Sequence, residues 1–176
     1  MKLFSKITGT ALWIIIFITI LIKKDYIINY GSNLNFEEEY LILMIIICHI
    51  LFSILILPCG AISILYGILL GINYGLAISL TVSLFSTCLT FYFAKNNISP
   101  IKFYDLNKFK HYLQKKISTR ESIVILFSYI NPLLPGSSLG YIFGSMKIKF
   151  INFLIMSFLG LVPLNLIMVI IGNYFK

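Results

Sequence analysis

From Tyr40 to Ala94 the chain carries no Lys, Arg, Asp or Glu. A membrane span needs roughly 20 mostly apolar residues, so this uncharged stretch is long enough for more than one crossing segment. The whole chain agrees: 59% of its residues are hydrophobic and 11% charged, with a mean hydropathy of +0.96. Soluble domains are about half apolar and a quarter charged. These features identify an integral membrane protein built from helices.

The N-terminus pairs a basic start, Lys2 and Lys6, with an apolar run from about Ile7 to Ile22. That is also signal-peptide anatomy, but the run ends in Lys23, Lys24 and Asp25 with no small-residue cleavage pattern. It reads as an uncleaved first helix. The net charge of +8 comes largely from Lys and Arg flanking apolar runs, as topology signals do, so a nucleic-acid partner is not expected. Cys48, Cys59 and Cys88 show neither CxxC nor His-rich spacing, so no disulfide framework, metal site or cofactor is expected. Cys59, beside Pro58, is the thiol expected to meet water.

A basic segment separates two apolar halves, with Lys95, Lys102, Lys108, Lys110, Lys115, Lys116 and Arg120 against Asp105 and Glu121. The positive-inside rule places it in the cytoplasm. Within it Phe103, Leu106, Phe109, Leu113 and Ile117 recur at helical spacing with lysines between. Such a stretch suits either a helix on the anionic leaflet or a solvated linker. Ser118 and Glu121 form a capping box, so a helix is predicted to begin near Thr119.

That helix meets an obstacle after about 13 residues, or roughly 20 Å, short of a hydrocarbon core of roughly 30 Å. The chain there reads NPLLPGSSLGYIFG, Asn131 to Gly144. Pro132 removes a donor and disfavours helix at Asn131, and Pro135, Gly136 and Gly140 follow. The segment is either a kinked span or a re-entrant hairpin turning at Pro135-Gly136. Lys147 and Lys149 follow closely, and re-entry returns them to the cytoplasmic side with the other basic residues.

The first half holds a second copy. LPCGAISILYG, Leu57 to Gly67, matches LPGSSLGYIFG, Leu134 to Gly144: each reaches a glycine nine residues after its proline, preceded by Tyr66 or Phe143. A run long enough to span follows each, Gly75 to Ala94 and Phe150 to Gly172. Paired interruptions in two halves point to a transport site at a repeat interface. The expected architecture is an all-α membrane protein with an inverted repeat of two re-entrant hairpins, each followed by a transmembrane helix. An N-terminal transmembrane helix and polar connection occupy residues 1–39, and the membrane domain residues 40–176. Charge leaves the side of the N-terminus open.

These residues resemble the VTT domain of the DedA superfamily, in its SNARE-associated Golgi protein branch. The first motif is carried by Pro58, Gly67, Gly71 and Gly75, then Phe91, Ala94 and Lys95. The second is carried by Pro132, Pro135, Tyr141, Gly144, Lys147, Lys149, Phe153, Gly160 and Pro163. The chain departs from the family pattern at Tyr129, where Arg is usual, at Ser137 and Gly140, where Asn is common, and at Ser86, where Gly is usual. The embedded carboxylates and Arg of the proton-coupled branch do not stand in its hairpins. The resemblance implies a non-enzymatic protein that moves or remodels membrane phospholipids or a lipid-linked carrier, as a scramblase or flippase supporting the envelope. A bacterial plasma membrane is the simplest home, and homo-oligomerisation is left open.

Candidate pathway residues are Pro58, Ser63, Gly67, Pro132, Pro135, Ser137, Ser138, Tyr141 and Gly144. His49 joins them because an imidazole is costly in a bilayer and functional by default, although it could also simply bond a neighbouring helix. Serines capping their own backbones and glycines allowing close packing are the structural alternative. Asn73, Asn152 and Asn165 are expected to hold helices together. Two further functions stay open: a proton-coupled small-molecule transporter, for which His49 is the available relay, and a non-transporting assembly factor.

Overall fold

The computed structural model describes residues 38–57, 59–96, 121–131, 134, 136–146 and 148–175. The N-terminal helix, the amphipathic stretch of the basic segment, Pro58, Pro132 and Pro135 lie outside them. The described residues are helical, without strands: α1 Glu38–Ile54, α2 Gly60–Lys95, α3 Glu121–Ile130, α4 Gly136–Gly144 and α5 Phe150–Tyr174. The helix expected after the capping box is present from Glu121. Contacts group the chain into two compact units, Met1–Ile47 and Cys48–Lys176. In the first, the described part of α1 exposes Tyr40, Leu43, Met44 and Ile47. Everything below concerns the second.

α1 ends in a tight cap. The Leu57 N–H donates to the Phe52 carbonyl at 2.8 Å and the Ile56 N–H to the Ser53 carbonyl at 3.2 Å. This is the Schellman pattern, which asks for a left-handed residue at its centre, usually Gly. Here that residue is Ile56, with φ of 59°. The Cys59 carbonyl then accepts from the N–H groups of Ile62 and Ser63 and starts α2.

α2 has 36 residues, about 54 Å of helix, far beyond one bilayer. Gly71 resolves the excess: its φ of 74° and ψ of −172° interrupt the helix. The chain reverses there, because Ser63 and Ser79, eight residues either side of Gly71, bring their hydroxyls to 3.0 Å. A Cβ on Gly75 would sit 2.7 Å from the Tyr66 carbonyl oxygen. Residues 60–70 are thus a short helix returning from the turn at 55–59, and residues 72–95 a full-length one. The first short arm ends at Gly71, so the long helix begins earlier than the run from Gly75 suggests. A single glycine suffices to reverse the chain because no other residue holds that dihedral pair without strain.

The second repeat has the same order. α3 stops at Ile130, the nine-residue α4 begins at Gly136, and a turn at 145–146 precedes the 25-residue α5. In that turn the Ser145 N–H bonds the Tyr141 carbonyl and the Met146 N–H the Phe143 carbonyl. Phe143 and Phe153 meet across it, 6.2 Å between centroids.

Glycines let the repeats exchange partners. Gly67 of the first short helix lies on the backbone of Val169 and Gly172 in α5. Gly140 and Gly144 of α4 lie on the backbone of Thr87 and Phe91 in α2. Each short helix runs parallel to the other repeat's long helix and antiparallel to its own, so α5 and residues 72–95 run in opposite directions. α2 and α5 are both long and apolar enough to cross a membrane. Their outer faces expose Phe85, Tyr92, Ile151, Ile155, Phe158 and Ile167, whereas Ser79, Thr90, Ser157 and Asn165 are buried. Apolar outside and small polar inside is the reverse of a water-facing fold and is the pattern of helix contacts in lipid.

Candidate functional site

The two interrupted segments meet. The Tyr141 hydroxyl of α4 donates to the Ile54 carbonyl at 3.0 Å, taking up one of the orphan acceptors at the end of α1. Beside it, in the turn at 55–59, the Cys59 thiol lies 3.1 Å from the Ser53 hydroxyl and 3.3 Å from the Leu57 carbonyl. The first turn and the second short helix therefore form one continuous seam, fastened by a tyrosine that the sequence singles out.

Behind the seam lies a buried polar cluster. Asn165 of α5 donates its amide N–H to the Leu161 carbonyl at 3.0 Å, which aims Oδ1 at three serines of α2. Ser79, Ser63 and Ser83 reach that oxygen at 2.6, 3.0 and 3.3 Å. Ser83 also lies 3.4 Å from Nε2 of His49. The His49 ring stacks on Tyr66, 5.9 Å between centroids. Both rings are almost fully buried, and His49 Nδ1 and the Tyr66 hydroxyl have no hydrogen-bond partner.

The corresponding place in the second repeat is apolar. Phe91, Tyr129, Leu139, Phe143 and Phe153 form its core with Ile125 and Ile142. Phe91 and Phe153 stack at 4.2 Å. Tyr129, at the position where the family pattern has Arg, is 1% exposed and packs against Phe143, Phe153 and the backbone face of Gly160. Its hydroxyl has no well-formed hydrogen bond, Thr87 being the polar side chain beside it.

The chain matches the VTT domain family over residues 57–174. It belongs to the VTT domain family. No curated protein and no solved structure matches it. With two long apolar helices, this VTT domain is a membrane protein of the DedA type.

The sequence-derived candidates separate by their place in the fold. Tyr141 is at the seam, and Gly67 and Gly144 are close-packing positions between repeats. Ser63 and His49 belong to the polar cluster. Ser138 is buried in α4. Pro58, Pro132, Pro135 and the side chain of Ser137 lie outside the described residues. Of the asparagines, Asn165 ties α5 to α2, and Asn152 ties α5 to α3 by accepting from Ser122 at 3.0 Å and donating to Glu121 at 2.8 Å. Ser79 and Ser83 were not singled out by sequence. Their signal was an i, i+4 pair on one face of an uncharged helix, which becomes informative only once Asn165 is known to face it.

Proposed function

We propose that this VTT domain moves phospholipids, or a lipid-linked carrier, between the leaflets of its membrane, as a scramblase or flippase. The supporting observation is the seam itself, two interrupted helical segments from opposed repeats touching through the Tyr141–Ile54 hydrogen bond. In this reading both segments are re-entrant. The first enters from outside and the second from the cytoplasmic side, with the basic segment 95–121 in the cytoplasm. A bacterial plasma membrane is the setting this reading favours.

Two broken segments approaching from opposite faces shorten the hydrophobic path that a headgroup must cross. Broken backbone in a membrane is tolerated only where protein or water satisfies it, so the seam is the natural place for polar cargo. The headgroup would pass along the seam while the acyl chains remain in lipid through the apolar outer faces. The test is leaflet exchange of labelled phospholipids in liposomes carrying the purified protein. Faster exchange than in empty liposomes is expected; no acceleration over empty liposomes for anionic headgroups, zwitterionic headgroups or a polyprenyl phosphate would refute the reading.

A further inference from the structure

We propose that the cluster of Ser63, Ser79, Ser83 and Asn165 is a binding site for a monovalent cation of sodium size. The first argument is a count of hydrogens. Four oxygen pairs lie at 2.6 to 3.3 Å: Ser63–Asn165, Ser63–Ser79, Ser79–Asn165 and Ser83–Asn165. Three hydroxyl hydrogens serve these four contacts. Turning the Asn165 amide over would bring its N–H groups to the serines, but only by losing the Leu161 hydrogen bond and setting Oδ1 against that carbonyl. The cluster holds a surplus of lone pairs, which a positive charge relieves.

The second argument is chemical. Every donor atom is neutral, and among the described residues no group of three His, Cys, Asp or Glu side chains could hold a metal. Hydroxyl and amide oxygens suit a hard ion, and with no carboxylate in the cluster a single charge costs far less to hold in the membrane than a double one. The first turn of α2 does not favour an anion instead, because the Cys59 carbonyl already takes the Ile62 and Ser63 N–H groups.

The third argument is that the serines can turn. A hydroxyl acting as a cation ligand must send its hydrogen elsewhere, and in a helix the carbonyl one turn back accepts it. Thr81 and Ser86 of the same helix already do this, toward Ala77 at 2.7 Å and Val82 at 2.8 Å. Ser79 and Ser83 have the same option. The ion would then join the short helix of the first repeat to the long helix of the second, at a break-flanked site of the kind secondary transporters use for coupling ions.

The inference goes beyond lipid movement, and its test needs none. Purified protein in detergent is melted in sodium, potassium and choline chloride at equal ionic strength. A saturable, sodium-dependent rise of roughly 3 °C is expected. It should vanish in Asn165→Ala and Ser79→Ala and survive in Thr81→Ala, whose hydroxyl is exposed. Should Asn165→Ala fail to fold, Ser63→Ala takes its place. Asn165→Asp should keep or enlarge the sodium effect, because a ligating oxygen remains and gains charge; a purely structural amide would lose stability without regaining it in sodium. Equal melting in all three salts, or a sodium effect unchanged in Ser79→Ala, would overturn the proposal, whatever the liposome assay finds.

Discussion

Ile56 occupies a position built for glycine. A left-handed residue costs roughly 1–2 kcal/mol when it carries a Cβ, and a β-branched one there is an outlier. The ordinary ranking of substitutions should therefore invert: Ile56→Gly is expected to melt above Ile56→Ala, by about 1 kcal/mol, because only the first removes the clash. Thermal unfolding of the two variants in detergent decides it. Tyr141 offers the complementary test. Its hydrogen bond to Ile54 is worth about 1 kcal/mol, so Tyr141→Phe should loosen the seam and speed leaflet exchange by about five-fold. Slower exchange would instead mean that the hydroxyl serves the cargo. Cys59 is half-buried and bonded to Ser53, whereas Cys48 is exposed on the apolar face of α1. In membranes a charged maleimide should leave Cys48 unmodified and label Cys59 faster in Tyr141→Phe, read by mass shift.

Helices that exchange partners depend on small residues where backbones cross. A Cβ on Gly144 would fall 2.9 Å from Phe91 Cα, whereas one on Gly136 would meet only the Tyr129 ring, at 3.8 Å. Gly144→Ala should therefore lower stability by about 1–3 kcal/mol or more, while Gly136→Ala changes it little; melting of the pair checks this. Such contacts also show which part of the fold was legible beforehand. The proline-to-glycine spacing of Leu57–Gly67 and Leu134–Gly144 located both short helices, because breaks in a hydrocarbon solvent are conspicuous. Gly71 was visible as a motif residue but not as a reversal, since a lone glycine in an apolar run equally permits close packing. The polar cluster was half legible. His49 and Ser63 stood out, Asn165 read as a helix tie, and their convergence with Ser79 and Ser83 depends on the Gly71 turn and on contacts up to 102 residues apart.

In the whole molecule the two repeats differ in what fills equivalent places. One junction is hydroxyl, amide and imidazole; the other is stacked aromatic rings, with Tyr129 where a charged residue would stand. The asymmetry leaves the first junction polar and the second apolar. It also bears on assembly. Gly67 rests on Val169 and Gly172, near the end of α5, so an early part of the chain packs against residues made about a hundred positions later. During synthesis the serines of α2 must wait in the bilayer without Asn165, and the first repeat stays unfinished until α5 arrives. Ending translation before Leu161 should leave a product that inserts but does not close, and that is cleared by proteolysis as an orphaned half.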